Sequence, residues 1–207
     1  MKHLAIIPDG NRRWEKLHNL PSGTGHAQAF TTIERICDWC LDNHIPYLTS
    51  FCFSTDNWKR SKEEIDHLFS LAEDYFLNKI NWYKNRSIKV VFQGRRDRLA
   101  PHFVEIMQEA EAITQDCAKL TLFLLIDWGG QEEIRWAFEH HIDPDTIRPH
   151  VDCILRSSGE KRLSNFLTWD SAYAELIFID EFFPDIDATI MDKVLQEYLR
   201  RDRRYGR

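Results

Sequence analysis

Six short apolar runs alternate with longer stretches of helical periodicity, and no other feature of this chain restricts its fold as much. The runs are residues 3–7, 46–53, 88–93, 121–127, 152–156 and 175–179. Helical patterns lie near 27–43, 61–85, 100–115, 130–140 and 187–201. Strands separated by helices pair in parallel, because each helix must cross back over the sheet before the next strand begins. The expected fold is α/β, with a mostly parallel central sheet of about six strands flanked by helices on both faces. The length of 207 residues suits a single domain, residues 1–207, with no repeat, low-complexity stretch or linker inside it.

Open sheets of this kind bind ligands beyond the carboxyl ends of their strands. The residues just past each run are therefore the first place to look for chemistry. Leu4, Ala5, Ile6 and Ile7 lead through Pro8 into Asp9, Gly10, Asn11, Arg12, Arg13 and Trp14. A helix starting over residues 11–18 would turn its positive end toward the same spot. Asp9 could hold a hard divalent cation, and Arg12 and Arg13 could hold phosphate oxygens. Taken alone, the stretch would serve equally well as a capped strand–turn–helix corner.

Three further clusters favour chemistry. Asn57, Trp58, Arg60 and Glu64 crowd the segment after the second run. Arg156, Arg162 and Ser164 place two guanidinium forks and a hydroxyl within nine residues, which suits a diphosphate. No G-x-x-x-x-G-K-[ST] is present, so this is not a P-loop. Glu175 opens an apolar strand, a costly place for a carboxylate unless it is paired or bound to metal. In the helical stretch 61–85, Ile65, Leu68, Phe69, Ala72, Phe76 and Ile80 share one face. That face belongs to a core, and one side of it is read as lining an apolar slot. Two phosphate-binding sets beside such a slot suggest a diphosphate ester with an apolar tail.

The formal net charge of −6 argues against a general nucleic-acid binder. The exception is the closing R-R-D-R-R-Y-G-R, with five arginines against one aspartate. Cys37 and Cys40 form C-x-x-C inside a helical pattern, with no second pair to complete a zinc site. The five cysteines are read as reduced and structural, in a cytoplasmic protein. Met1-Lys2 leads straight into the first run without a signal-peptide pattern, and no apolar run approaches the ~18 residues of a membrane span.

The motifs D-G-N-R-R-W (9–14), G-H (25–26), F-S-T-D-N-W-K-R (53–60), W-G-G-Q-E-E-I (128–134), R-S-S-G-E-K-R-L-S-N-F (156–166) and the closing R-R-D-R-R-Y-G run nearly end to end. With them the chain resembles the cis-prenyltransferases, the undecaprenyl diphosphate synthase family. The resemblance implies a homodimer with an apolar tunnel. It implies Mg²⁺-dependent condensation of isopentenyl diphosphate with an allylic diphosphate, giving a new cis double bond and releasing diphosphate. Asp9 and Asn57 would be the catalytic residues, with Asn57 near the proton-loss step. Gly10, Asn11, Arg12, Arg13, Trp14, His26, Ser54, Trp58 and Arg60 would serve the allylic diphosphate. Arg156, Arg162, Ser164 and Glu64 would serve isopentenyl diphosphate, joined by Arg204 and Gly206 of the R-x-G ending, which reaches into the partner's site. Glu175 would complete Asp9's metal site from across the dimer interface. Cys52, Phe53, Phe69, Phe76 and Leu125 would form the tunnel wall. The product would leave by peripheral contact with a membrane.

Three departures from the family pattern stand out. Ser22 occupies the place of an arginine that usually grips the allylic diphosphate, with Arg12 as its substitute. Pro8 replaces the usual methionine. Only 24 residues separate Gln131 from Arg156, where long-chain members carry a longer segment. These departures and the bulky tunnel residues point to a short or medium product. Ser22 and the shortened segment keep an irregular, lavandulyl-type synthase in view; a non-catalytic accessory subunit is a further alternative, against which the chain keeps Asp9, Asn57, Arg156, Arg162, Ser164 and Glu175.

Overall fold

A computed structural model of the chain describes residues 1–202. In chain order the elements are β1 (His3–Ile7), α1 (Asn11–Leu17), α2 (Thr24–Asp42), β2 (Tyr47–Ser54), α3 (Lys62–Asn85), β3 (Ile88–Gln93), α4 (Pro101–Thr114), β4 (Leu120–Trp128), α5 (Gly130–Glu139), β5 (Cys153–Arg156), β6 (Glu175–Phe178) and α6 (Ala188–Arg200). Each expected run and helix forms within a few residues of its predicted bounds. The six strands make one sheet in the order β3-β4-β2-β1-β5-β6, and every pairing is parallel.

That order places a topological switch at the centre. β1 is followed in sequence by β2 on one side, whereas β5 is followed by β6 on the other. Their carboxyl ends therefore flank the crevice where doubly wound sheets bind ligands. Ile7 pairs with Arg156 in the register of β1 and β5, so Asp9 and Arg156 emerge side by side.

The helices flank the sheet unequally. On one face, Leu4, Ile6, Leu122, Leu124 and Ile126 pack with Ile33 and Ile36 of α2, Phe76 and Tyr83 of α3, Phe103 and Met107 of α4, and Met191 and Val194 of α6. On the other, Ala5, Ile7, Leu125, Trp128 and Ile154 pack against Val151, Phe166 and Leu167, with no helical residue in that buried group. Alternate residues of one strand thus face different surroundings, as the period-two geometry requires.

Local chemistry accounts for the element ends around the crevice. Gly10 joins β1 to α1 at φ +99°, and a Cβ there would come within 2.6 Å of Phe182 Cδ1 and 2.8 Å of Ser158 Cβ. Only glycine fits that turn. The Ser61 hydroxyl caps α3 by accepting the Glu64 N–H (3.2 Å), and Glu63 and Glu64 lie in the favourable first turn.

The compressed stretch between Gln131 and Arg156 is closed by a buried ion cluster. Arg148 is 4% exposed. Its guanidinium donates to both Glu133 oxygens, to Asp170 Oδ2 (2.7 Å) and to Gln93 Oε1 (3.0 Å), and lies 5.5 Å from the Trp128 ring centre. A buried charge persists only when paired this fully. Burial raises the Asp170 carboxyl above the usual carboxylate range even though Arg148 pulls the other way. Cys37 and Cys40 are buried free thiols, both raised in pKa by burial.

Candidate active site

The centre of the site is the contact between Asp9 and Arg156. Asp9 Oδ2 accepts from Arg156 Nη2 at 2.8 Å, and Asp9 Oδ1 accepts the Gly10 N–H at 2.7 Å. Arg13 approaches the same carboxylate at 3.5 Å. Burial alone would raise this carboxyl's pKa. The Arg156 hydrogen bond and charge, the Gly10 amide and Arg13 outweigh it, so Asp9 sits below its ordinary value and is ionised. Ser157 fixes the backbone beneath: its Oγ accepts the Asp9 N–H (2.9 Å) and donates to the Asp9 carbonyl (2.7 Å).

Arg156 is prepared for an anion. Its Nη1 donates to Ser164 Oγ (2.8 Å) and to the Arg162 carbonyl (2.5 Å). Its Nε is buried and has no partner among the described residues. Asn11 Oδ1 is in the same condition. Buried polar atoms are nearly always satisfied, so two orphans on residues that line one cavity single out this part of the structure. Ser158, Ser164 and Asn165 hold positive φ (73°, 52° and 64°), so the loop after β5 is strained where its side chains converge.

Beside this pair lies a basin of about 360 Å³ lined by Pro8, Asp9, Gly10, Asn11, Arg12, Arg13, Lys16, His26 and Arg60. It is rich in cations, and α1 contributes most of them. Glu64 Oε1 ties Arg60 (3.1 Å) and Arg12 (3.5 Å) together at its rim. Arg13 reaches Ser158 Oγ (2.5 Å) and the Ser158 carbonyl (3.2 Å). Burial lowers the His26 pKa, opposed by Glu15, whose Oε1 lies 3.7 Å from His26 Nδ1.

Next to the basin opens a cavity of about 480 Å³. Asp9, Asn11, His26, Ser54, Asn57, Arg60, Arg156 and Ser164 stand among its polar lining residues. Its apolar lining includes Ala29, Phe30 and Ile33 of α2, Leu68, Phe69, Ala72, Phe76 and Tyr83 of α3, Phe103, Leu124 and Ile126. From Leu68 to Tyr83 the cavity follows α3 for about 22 Å at 1.5 Å per residue. Asn57 Oδ1 accepts the Ser54 N–H (3.0 Å), so its amide NH₂ is the group it can offer the cavity. Cys52 is an extra residue of β2, between Phe51 (opposite Leu125) and Phe53 (opposite Ile126), and this bulge sets its side chain on the cavity wall. Cys52 is exposed where it opens to the cavity, and desolvation by the protein around it raises its thiol pKa.

Several expected residues sit elsewhere. Leu125 is on the opposite face of the sheet, packed with Ala5 and Trp128; Leu124 and Ile126 take its place on the wall because strand side chains alternate. Glu175 begins β6 opposite Cys153, which itself pairs with Leu4, so it lies roughly 15 Å along the strands from Asp9 at ~3.3 Å per residue. One chain therefore does not bring these two carboxylates together; Glu175 instead accepts from Arg201 at 2.9 Å. Trp58 does not line the cavity: its indole donates to Asp127 Oδ1 (2.8 Å). The Trp14 indole donates to Asp185 (2.6 Å), away from the basin. Arg162 is exposed and paired with Glu160. Arg204 and Gly206 lie outside the described residues.

Sequence reasoning passed over Lys16, Ser157, Ser158 and Asp127 as site residues. Lys16 follows Arg12 by one helical turn, a legible signal. Asp127 was visible only as a polar residue ending an apolar run.

Comparison with known proteins gives this arrangement a family. The prenyltransferase family model described as undecaprenyl diphosphate synthase matches residues 7–206. The chain belongs to that family. This prenyltransferase is 38% identical over 221 aligned residues to an isoprenyl transferase of Aquifex aeolicus, a match spanning 100% of this chain and 96% of that protein. Among solved structures, lavandulyl diphosphate synthase from Lavandula x intermedia, in complex with dimethylallyl diphosphate, superposes with a TM-score of 0.89 at 28% identity, covering 100% and 98% of the two chains. An undecaprenyl diphosphate synthase structure from Campylobacter jejuni gives 0.85 at 29% identity, covering 100% and 99%. The prenyltransferase has no helix, among its described residues, long and apolar enough to cross a membrane.

Proposed function

We propose that this prenyltransferase condenses isopentenyl diphosphate with an allylic diphosphate, with Mg²⁺, as a homodimer, and releases a short or medium prenyl diphosphate. The observation that carries the reading is one cavity with two characters: a polar end with Arg60, Arg156 and Ser164 beside the Asp9 carboxylate, and an apolar body along α3.

The allylic diphosphate would occupy the basin, held by Arg13, Arg12, Arg60, Lys16 and His26. Its hydrocarbon would lie along Phe69, Ala72 and Phe76. Isopentenyl diphosphate would engage the guanidinium of Arg156, which lines the cavity, together with Ser164 and Arg162. The allylic C–O bond breaks and its electron pair leaves with diphosphate. The isopentenyl double bond then forms the new C–C bond, a neighbouring C–H bond gives its electron pair to the new double bond, and its proton passes to an oxygen of the released diphosphate. The arginines stabilise the departing charge, and the apolar wall excludes water from the cationic carbon. The Asn57 NH₂ is suited to donate to a phosphate oxygen, so it would orient a diphosphate rather than take the proton itself.

The residues fit a magnesium ion of the kind that keeps substrate oxygens and waters as ligands. Asp9 supplies one ionised carboxylate beside a phosphate basin, and the described residues contain no cluster of three or more ligating side chains. When bound, the ion would offset charge on the leaving diphosphate. Because Glu175 lies far from Asp9 in its own chain, a metal site using both needs the Glu175 of a second copy.

The test is to incubate the protein with Mg²⁺, isopentenyl diphosphate and dimethylallyl, geranyl or farnesyl diphosphate in turn. Product mass and double-bond geometry are then read. A cis product supports the reading and its mass sets the chain length. A branched product from dimethylallyl diphosphate alone would replace it with irregular coupling, and no product from any primer would replace it with an accessory role.

A further inference from the structure

Asp127 is buried, 1% exposed, and sits at φ +50°, a conformation that side chains other than glycine seldom adopt. It is the residue left over where β4 slips against β2: Phe53 pairs with Ile126 and Ser54 with Trp128. The adjoining backbone is tight, since a Cβ on Gly94 would come within 1.9 Å of the Ile126 carbonyl oxygen. The bulge turns the Asp127 carboxylate toward two partners. Oδ1 accepts the Trp58 indole N–H at 2.8 Å, Oδ2 accepts from Arg98 Nε at 2.8 Å, and Arg98 Nη2 makes a second contact with Oδ1.

Trp58 stands directly behind the site. Its ring stacks on Phe69 (5.9 Å, 27°) and meets Phe53 edge-on (5.2 Å, 78°), and both of those line the cavity. It also follows Asn57 in the 3₁₀ turn Thr55–Lys59, whose capping interactions hold the Asn57 amide. That turn is short and has few backbone bonds of its own, so its orientation depends on what anchors it.

We infer that Asp127 is a positioning residue of this prenyltransferase: through the Trp58 indole it fixes the turn that presents Asn57 and backs the wall formed by Phe53 and Phe69. The inference rests on the proposed prenyl transfer for its kinetic consequence, but the anchoring itself can be read without turnover. Arg98, held by the same carboxylate, lies 5.4 Å from the Trp58 ring centre, so the indole N–H is the contact that separates direct anchoring of Trp58 from neutralisation of Arg98. An anchor acting through Trp58 makes the two residues one unit, whose substitutions are not additive.

The experiment compares D127A, D127N, W58F and the double variant W58F/D127A, with kcat and KM measured for both diphosphates. D127A and W58F are each expected to lower kcat about 10- to 100-fold, the cost of misplacing a group at the reacting centre, with both KM values little changed. The double variant should be no worse than the poorer single one. D127N should recover most of kcat, because its amide oxygen can still accept the indole N–H. In ¹H–¹⁵N spectra the Trp58 indole signal, assigned by its loss in W58F, should exchange slowly with solvent in the wild type and in D127N, and fast in D127A. Additive losses, or a D127N as impaired as D127A, would assign the effect to the Arg98 pair and overturn the inference. So would slow exchange of the indole in D127A. If D127A does not fold, W58F, D127N and the exchange measurement decide. A wild type inactive with every primer refutes prenyl transfer, while the exchange data still judge the anchor.

Discussion

Arg156 and Asp9 stand 2.8 Å apart at the carboxyl ends of two adjacent parallel strands, joined before any ligand arrives. The guanidinium keeps the carboxylate ionised. The carboxylate in turn takes one nitrogen of the fork, while Ser164 and the Arg162 carbonyl take another, and the buried Nε has no partner among the described residues. Removing either partner leaves the other partly buried and unbalanced, which is why both are expected to be intolerant of change.

Replacing Asp9 with Asn, or Arg156 with Ala, is expected to lower kcat/KM by about 10²–10³-fold or more. For Arg156→Ala the loss should fall largely on the KM for isopentenyl diphosphate. Steady-state kinetics with each substrate varied in turn checks this. An Arg156→Ala enzyme with an unchanged isopentenyl KM would displace Arg156 from its role.

The exposed Ser22 lies outside both the basin and the cavity, whereas Arg12 lines the basin. Arg12→Ala should therefore raise the allylic KM by roughly 5- to 10-fold, the modest worth of a charged contact that is still partly hydrated. Ser22→Ala should leave it unchanged. Equal effects from the two would place the allylic diphosphate somewhere other than this basin.

The two sides of the sheet make opposite predictions. Phe76→Leu enlarges the cavity and is expected to shift the product distribution toward longer chains, read by mass spectrometry. Leu125→Ala, on the far face, should cost about 2–5 kcal/mol of stability in chemical denaturation and leave product length as it was. A longer product from Leu125→Ala would mean that the chain grows on the other side of the sheet.

Asp9 and Glu175 belong to opposite ends of the strands, so a shared metal site predicts complementation in trans. Asp9→Asn and Glu175→Gln chains are each expected to be inactive. A heterodimer of the two has one site bearing both substitutions and another bearing neither. Mixing the chains under subunit exchange should restore activity. Failure to restore it, with exchange confirmed by native mass spectrometry, would confine each site to one chain.

His3 sets an acid limit on stability. Its ring is buried between the Pro149 carbonyl (2.7 Å from Nδ1) and the Thr49 hydroxyl (2.8 Å from Nε2), which together suit a neutral imidazole. Burial lowers its pKa to about 4 from 6.5. Between those values the unfolded chain binds a proton that the folded chain refuses, so stability falls as pH drops through that window. The loss approaches about 3 kcal/mol near pH 4 and vanishes above the unfolded value. Urea titrations at pH 7.5 and pH 5 should show this dependence in the wild type and a smaller one in His3→Gln.

Much of this molecule was legible in its residues because the relevant forces act locally. Apolar runs of strand length and stretches of period 3.6 located all the strands and helices to within a few positions. The strand-end clusters after residues 7, 53 and 156 were likewise readable, since a parallel sheet gathers its carboxyl ends on one edge. Leu125 and Trp58 mark where that legibility stops. A single bulged residue, Cys52 in β2 or Asp127 in β4, changes which side chains face the cavity, and nothing in the local sequence announces the slip.

The sequence by itself determined the element order, the parallel α/β class and the types of group that meet at the strand ends, because hydrophobic periodicity, the conformational freedom of Gly and the fixed φ of Pro act over a few residues. Only the tertiary structure decided which of those groups meet. It set Asp9 against Arg156 through the register of β1 and β5, and kept Glu175 at the far end of β6. It turned Trp58 onto Asp127 and put the cavity on the helical face of the sheet. Strand order, register and bulges depend on contacts between residues distant in the chain, and those energies are settled when the whole core packs.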